Sequence, residues 1–210
     1  MEVQLPPAEN PTVKATSRRR KTPLSCPFQI LVDTAEQQPF TFTGIHADAD
    51  QDGCEIVVTP GIHLVRECLG RHPYSLGDYG IRGFEGRCHV ERKSMEDAAS
   101  TILGWTAGEA DRGRRERFER ELANLANIEC AAVVVECSLG TLLDNAPETD
   151  HKTAVLNRKI LHRSIIAFQQ DYSGVTWMFC DSRRMAEVYT FRFMYRFWEK
   201  HRTKKARMRK

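Results

Sequence analysis

Residues 131–137 read Ala-Ala-Val-Val-Val-Glu-Cys, and no other stretch limits the fold of this chain as tightly. A strand wetted on one face alternates apolar and polar residues, whereas a nearly unbroken apolar run belongs to a strand covered on both faces. Helices must therefore lie above and below it. Residues 175–180 read as a further buried strand, and residues 153–170 as a helix with Leu156, Ile160, Ile165 and Phe168 near helical spacing. Phe118, Leu122 and Leu125 mark the core stripe of an earlier helix. Upstream, residues 28–32, 54–59, 74–81 and 87–93 read as strands, expected to form a meander. Strands first clustered and then alternating with helices give an α/β fold, a mixed central sheet flanked by helices. With 210 residues and 41% hydrophobic content, the chain is one domain or slightly more, with enough apolar material for a core.

The chemistry-bearing residues gather at a strand-to-helix junction. Gly77-Asp78-Tyr79 is followed by Glu91-Arg92-Lys93-Ser94-Met95-Glu96-Asp97. Carboxylates on neighbouring strands can hold a hard divalent cation, and Lys93, two residues past Glu91, projects to the same strand face. Such a cation activates water and neutralises charge on a scissile phosphate, while a lysine orients the water or stabilises the phosphoryl oxygens; phosphodiester hydrolysis is the natural reaction. An acid thirteen residues before Glu-x-Lys is common in charged chains, so placement decides. Here Cys88-His89-Val90 delivers the charges as an apolar strand, and Ser94 to Asp97 reads as a capping-box start for a helix carrying Ile102 and Leu103. A solvated charge run sits more often along one helix face.

Gly-Asp followed by Glu-Arg-Lys-x-x-x-Asp resembles the signature of the XPF-type structure-specific endonucleases, of the restriction-endonuclease-like superfold. Residues 30–36, with Pro39-Phe40 after them, resemble that family's first strand and acidic turn, and Arg117-Phe118 its Arg-Phe helix, with Glu121 where a glutamine is expected. The resemblance spans about residues 28–199. It implies Asp78 and Glu91 as ligands of Mg²⁺, or of Mn²⁺ in its place, with the Arg92 carbonyl as a third ligand and Lys93 as the catalytic lysine. Asp33, Glu36 and Asp97 match further acidic positions of the catalytic site. An acid at the third position of a helix also favours its N-terminal dipole, so Asp97 has a structural reading of equal weight. Relative to the family, residues 61–73 read as an insertion, expected to hold a short helix with Leu64, Val65, Cys68 and Leu69.

The net charge of +3 hides an asymmetry. Residues 200–210 hold seven Lys or Arg and no acid, residues 1–21 include Arg18-Arg19-Arg20-Lys21, and the body between is acidic. Residues 1–25, marked by prolines, are expected to be a disordered basic tail, residues 26–199 the nuclease domain and residues 200–210 a second basic tail. Basic arms attract phosphate, or merely solubilise; in a eukaryote the Arg-Lys run would also suit nuclear import. No leader-like start and no run of the roughly 20 apolar residues needed to span a membrane are seen, so an intracellular protein is expected, in cytoplasm or nucleoid if bacterial or phage and in the nucleus if eukaryotic. Seven cysteines without a Cys-x-x-Cys pair argue against a zinc ribbon or disulfide framework. The histidines lack ligand spacing, with His89, beside the site strand, the one to watch.

The expected partner is DNA, branched or partly single-stranded. Residues 104–108 read as a mobile loop whose Trp105 either stacks on an unpaired base or plugs the core. Arg92, Arg114, Arg115 and Arg117 are candidate DNA contacts. The aromatics from Tyr189 to Trp198, wound as a helix, cover more than one face and suggest a homodimer, as in the resembling family, or a heteromeric partner. That family usually carries tandem helix-hairpin-helix modules; after Trp198 this sequence continues only with Glu199 and the basic residues 200–210, so none is expected here. Two alternatives to an active endonuclease are a non-catalytic DNA-binding subunit of a nuclease dimer and a sequence-specific restriction-type nuclease.

Overall fold

The computed structural model describes residues 23–47, 55–57, 64–67, 69, 77–106, 109–110, 112–147 and 151–207. In chain order its elements are β1 (Pro23–Ser25), β2 (Ile30–Asp33), β3 (His46–Ala47), β4 (Glu55–Val57), β5 (Leu64–Glu67), β6 (Tyr79–Ile81), β7 (Cys88–Lys93) and α1 (Met95–Leu103). There follow β8 (Trp105–Thr106), β9 (Glu109–Ala110), α2 (Arg112–Ala126), β10 (Cys130–Val135), α3 (Leu139–Asp144), α4 (His151–Asp171), β11 (Val175–Phe179) and α5 (Arg183–Arg207). The main sheet has the order β11-β10-β7-β6-β2-β5. Its β11-β10, β10-β7 and β2-β5 pairs are parallel and its β7-β6 and β6-β2 pairs antiparallel, so it is mixed, as expected.

The apolar run in β10 is explained by two cores. Ala132 and Val134 join a core roofed by Phe191, Met194 and Phe197 of α5; Ala131, Val133 and Val135 join another, made with Ile102 of α1, Phe118 and Leu122 of α2, and Leu161 and Ile165 of α4. Each fully buried valine contributes about 1.5–3 kcal/mol. A polar residue at either parity would lose that contribution, so the strand tolerates none. The result is a helix-sheet-helix sandwich, with β7 at its centre.

Several local expectations change. Residues 23–25, assigned to the N-terminal tail, form β1, which pairs parallel with β4; residues 1–22 and 208–210 lie outside the described residues. β4, within the expected second strand, joins β1 and β3 in a separate small sheet, so the meander is β2-β6-β7. In place of the short helix expected in residues 61–73, Leu64–Glu67 is a strand parallel to β2, where it satisfies backbone groups that β6 leaves open on the other edge. The loop at residues 104–108 is in part a hairpin, Trp105 pairing with Ala110 and Thr106 with Glu109; residues 107–108 lie outside the described residues. β11 is an edge strand, with only Val175 fully buried, and Leu156 is exposed while Asn157, Leu161, Ser164, Ile165 and Phe168 form the buried stripe of α4.

The aromatics of α5 are largely consumed within the domain. Phe191 and Phe197 are buried, and Phe28 packs against Phe191, Tyr195 and Trp198 with ring centroids 5.9–6.3 Å apart. No helix among the described residues is long and apolar enough to cross a membrane.

Candidate active site

Gly77 turns the chain into β6 with φ +114°, a conformation L side chains rarely adopt, and a Cβ there would lie 3.2 Å from the Val90 carbonyl oxygen. Glycine thus lets Asp78 sit directly against β7. The Asp78 N–H donates to Val90 (3.0 Å), its carbonyl accepts from the Asp33 N–H (2.8 Å), and its Oδ2 accepts from the Arg92 N–H (2.8 Å). Alternation along β7 then brings Glu91 and Lys93 to one face, with Lys93 Nζ 2.6 Å from Glu91 Oε1. Ser94 caps α1 by accepting from the Asp97 N–H, and this tight start returns Asp97 to within 3.3 Å of Lys93. Arg114 of α2 closes the row, 2.5 Å from Asp97 and bonded to Thr101. Glu36, Asp78, Glu91, Lys93, Asp97 and Arg114 line one open polar cavity of about 430 Å³.

Electrostatics in this cavity depart from those of water. Burial and the neighbouring Glu91 push the Asp78 carboxyl well above the usual range, against the pull of its bond from the Arg92 N–H. Burial opposes the Lys93 ammonium, but the Glu91 and Asp97 carboxylates outweigh it and hold the lysine charged. Its Nζ also lies 4.9 Å over the Phe118 ring. Burial would raise the Asp97 carboxyl, yet Lys93 and Arg114 bring it below its ordinary value. Glu121 of α2 is driven up to about 10 by burial and by the negative charge of the neighbouring Glu91.

Arg92 points to the other face of β7. Its Nε donates to Glu136 (2.6 Å) and its Nη1 to both oxygens of Glu36 (3.1 and 3.2 Å), while Arg183 also reaches Glu136 (2.6 Å). Burial would lower the guanidinium's pKa, but Glu136 and Glu36 more than reverse this. The network ties the turn after β2 to the end of β10 and the start of α5.

No family model matches the chain, and no curated protein matches it. Among solved structures it is similar to XPF from Aeropyrum pernix, in complex with DNA, at 18% sequence identity and a TM-score of 0.49, over 82% of this chain and 66% of that one. The chain thus spans just under two thirds of the length of that structure.

Of the residues singled out in the sequence, Glu36, Asp78, Glu91, Arg92, Lys93, Asp97 and Arg114 share the cavity. Asp33 is not among its lining residues: its Oδ1 accepts from the Ala35 N–H and its Oδ2 from the Leu69 N–H, so it caps the end of β2. Arg92 spends its guanidinium on Glu36 and Glu136. Arg115 is a strut, bonded to the Ile102 carbonyl, Ser164 and Glu119, and Arg117 is exposed on α2. Trp105 lies in β8, and its side chain is outside the described residues. His89 is buried and donates from Nε2 to the Glu85 carbonyl, a structural role. Sequence reasoning missed Glu136, whose signal was a lone acid inside the apolar run of residues 131–137. It noticed Glu121 only as a departure from the family pattern.

Proposed function

We propose that this chain is a metal-dependent DNA endonuclease that hydrolyses phosphodiester bonds near branched, flapped or forked DNA, in repair or recombination. One observation carries the reading: a carboxyl at the turn into β6, a carboxyl on the adjacent β7 and a charged lysine converge in a single open polar cavity.

The donor set fits Mg²⁺ or Mn²⁺. Asp78 and Glu91 offer hard oxygen ligands, with the Arg92 carbonyl as a third, and among the described residues no three His, Cys, Asp or Glu side chains form a ready metal cage. Mg²⁺ commonly binds through one or two carboxylates plus water and substrate phosphate, so a two-carboxylate site suits it. When bound, the cation lowers the pKa of a coordinated water and neutralises charge on the phosphate. The chain's own residues do the rest. Asp78 and Glu91 concentrate negative charge where a cation is needed, and the repulsion that burdens Asp78 is relieved when one arrives. Lys93, kept protonated by its carboxylate neighbours, is a fixed positive charge for the phosphoryl oxygens as negative charge develops there. Asp97 and Phe118 keep the flexible lysine in one place. Arg114, at the cavity wall, offers a cation to an adjacent phosphate.

The dimer contact is assigned to the outer side of α5, where Tyr189, Phe193 and Phe197 with Cys130 line an apolar cavity of about 510 Å³. Substrate preference is tested with end-labelled flap, fork, splayed-arm and plain duplex DNA in Mg²⁺ or Mn²⁺. Cutting confined to the branched substrates is expected. Equal cutting of plain duplex would remove the structure-specific part of the reading, and cutting at one defined sequence would replace it with a restriction-type activity.

A further inference from the structure

The turn after β2 brings to the cavity two side chains that the chemistry above leaves unused. Ala35, Glu36, Gln37 and Gln38 line it together, and of these Glu36 is buried while Gln37 and Gln38 are exposed. The turn is tied down along its length. The Glu36 N–H donates to the Asp33 carbonyl (3.2 Å), and the Gln38 N–H donates to Glu36 Oε1 (2.6 Å). Arg183, at the start of α5, donates through Nη2 to the Gln38 and Pro39 carbonyls (2.5 and 3.3 Å) and through Nη1 to Glu136 (2.6 Å). Just beyond, the buried Phe40 stacks on the Tyr79 ring with centroids 5.1 Å apart, and its N–H donates to the Tyr79 hydroxyl (2.8 Å). Two neutral amide side chains therefore start from fixed backbone positions on the cavity rim.

We propose that Gln37 and Gln38 form a base-reading wall, hydrogen bonding the base of a nucleotide that flanks the scissile phosphate, with Arg183 as the positioning residue that holds the wall in place. This role rests on the nuclease reading above. In that reading the phosphate oxygens are served by the cation, Lys93 and Arg114. A DNA backbone presents only acceptors, so an amide there would use its NH₂ alone. A base edge presents donors and acceptors side by side, which matches the paired C=O and NH₂ of glutamine. The contact is neutral, so forming it releases no counterion and leaves the salt dependence of binding unchanged.

Single-turnover cleavage of a flap substrate in Mg²⁺ at several salt concentrations tests the wall, read as the enzyme concentration that gives half the maximal rate. A neutral hydrogen bond is worth about fivefold in affinity, so Gln37→Ala combined with Gln38→Ala should raise that concentration about tenfold or more, by the same factor at low and high salt. With the cut site mapped, the base on each side of it is removed in turn. Wild type should show a similar loss on one of these two abasic substrates, and the double variant should lose less than about twofold further on it, because the contact is already gone. Arg183→Ala, whose own side chain is 41% exposed, should speed hydrogen exchange at residues 36–38 and weaken half-saturation in the same direction, and Arg183→Lys, without the planar fork, should not restore either. Wild-type half-saturation in the double glutamine variant, a loss that shrinks as salt rises, or additive losses on both abasic substrates would overturn the proposal. Unchanged exchange in Arg183→Ala would remove the positioning role. A wild type that cuts no DNA would overturn the nuclease reading and the wall with it.

Discussion

Glu121 and Arg92 show how much the energetics of this molecule depend on charges kept out of water. The Glu121 carboxyl has a folded-state pKa of about 10 against an ordinary 4.5, so ionising it costs more in the folded chain than in the unfolded one. The stability it supplies is complete below about pH 4.5 and is lost as pH rises toward 10. In the absence of divalent cation, the wild-type melting temperature should fall across this window more steeply than that of Glu121→Gln, as thermal melts from pH 5 to 9 would reveal. Parallel slopes would mean that Glu121 is not buried against Glu91. Arg92 poses the opposite case, a cation with side chain only 9% exposed between Glu36 at 7% and Glu136 at 11%. Removing it in Arg92→Ala takes the shared cation from two buried carboxylates, of which Glu136 keeps Arg183, and urea unfolding should register a loss of about 3 kcal/mol. A change below about 1 kcal/mol would show that water already screens the network.

At the scale of elements, what could be read from sequence was whatever depends on local pattern. The β10 run was legible because both its faces are dry, and the α1 start because Ser94 and Asp97 stand at capping distance. Ser94→Ala should cost about 1 kcal/mol in chemical denaturation, and because the cap also fixes Asp97 beside Lys93, it should slow cleavage as well. Full retention of both would separate the cap from the site. The illegible parts depend on distant neighbours. Leu64, Val65 and Leu69 have spacing that suits a helix, and only the open edge of β2, some thirty residues away, makes Leu64–Glu67 a strand. Asp33 matched an acidic position of the family pattern, but whether an acid at a strand end binds a ligand or caps a turn depends on which N–H groups surround it. Glu36, one turn later, reached the cavity. The difference lies in backbone geometry, which residue identity does not encode.

At the scale of the molecule, the sheet works as a jig. The turn into β6 carries Asp78 and β7 carries Glu91 and Lys93, while α1 and α2 bring Asp97, Arg114 and Glu121 from one face, and the turn after β2 brings Glu36 from the other edge. The aromatic excess of α5, which from sequence alone argued for a partner, is mostly absorbed by Phe28, Phe84 and the sheet, leaving the strip around Tyr189 and Phe193. Sedimentation velocity should find a wild-type dimer and a monomeric Phe193→Asp; a wild-type monomer at all concentrations would remove the assignment. The central claim is tested most directly by single-turnover cleavage of an end-labelled flap substrate with Mg²⁺, comparing wild type with Asp78→Ala and Lys93→Ala and measuring DNA binding in parallel. The expected result is Mg²⁺-dependent cutting that falls by at least about 10²–10³-fold in each variant while DNA binding persists. Tight binding with no cutting by wild type, or cutting that survives both substitutions, would contradict it.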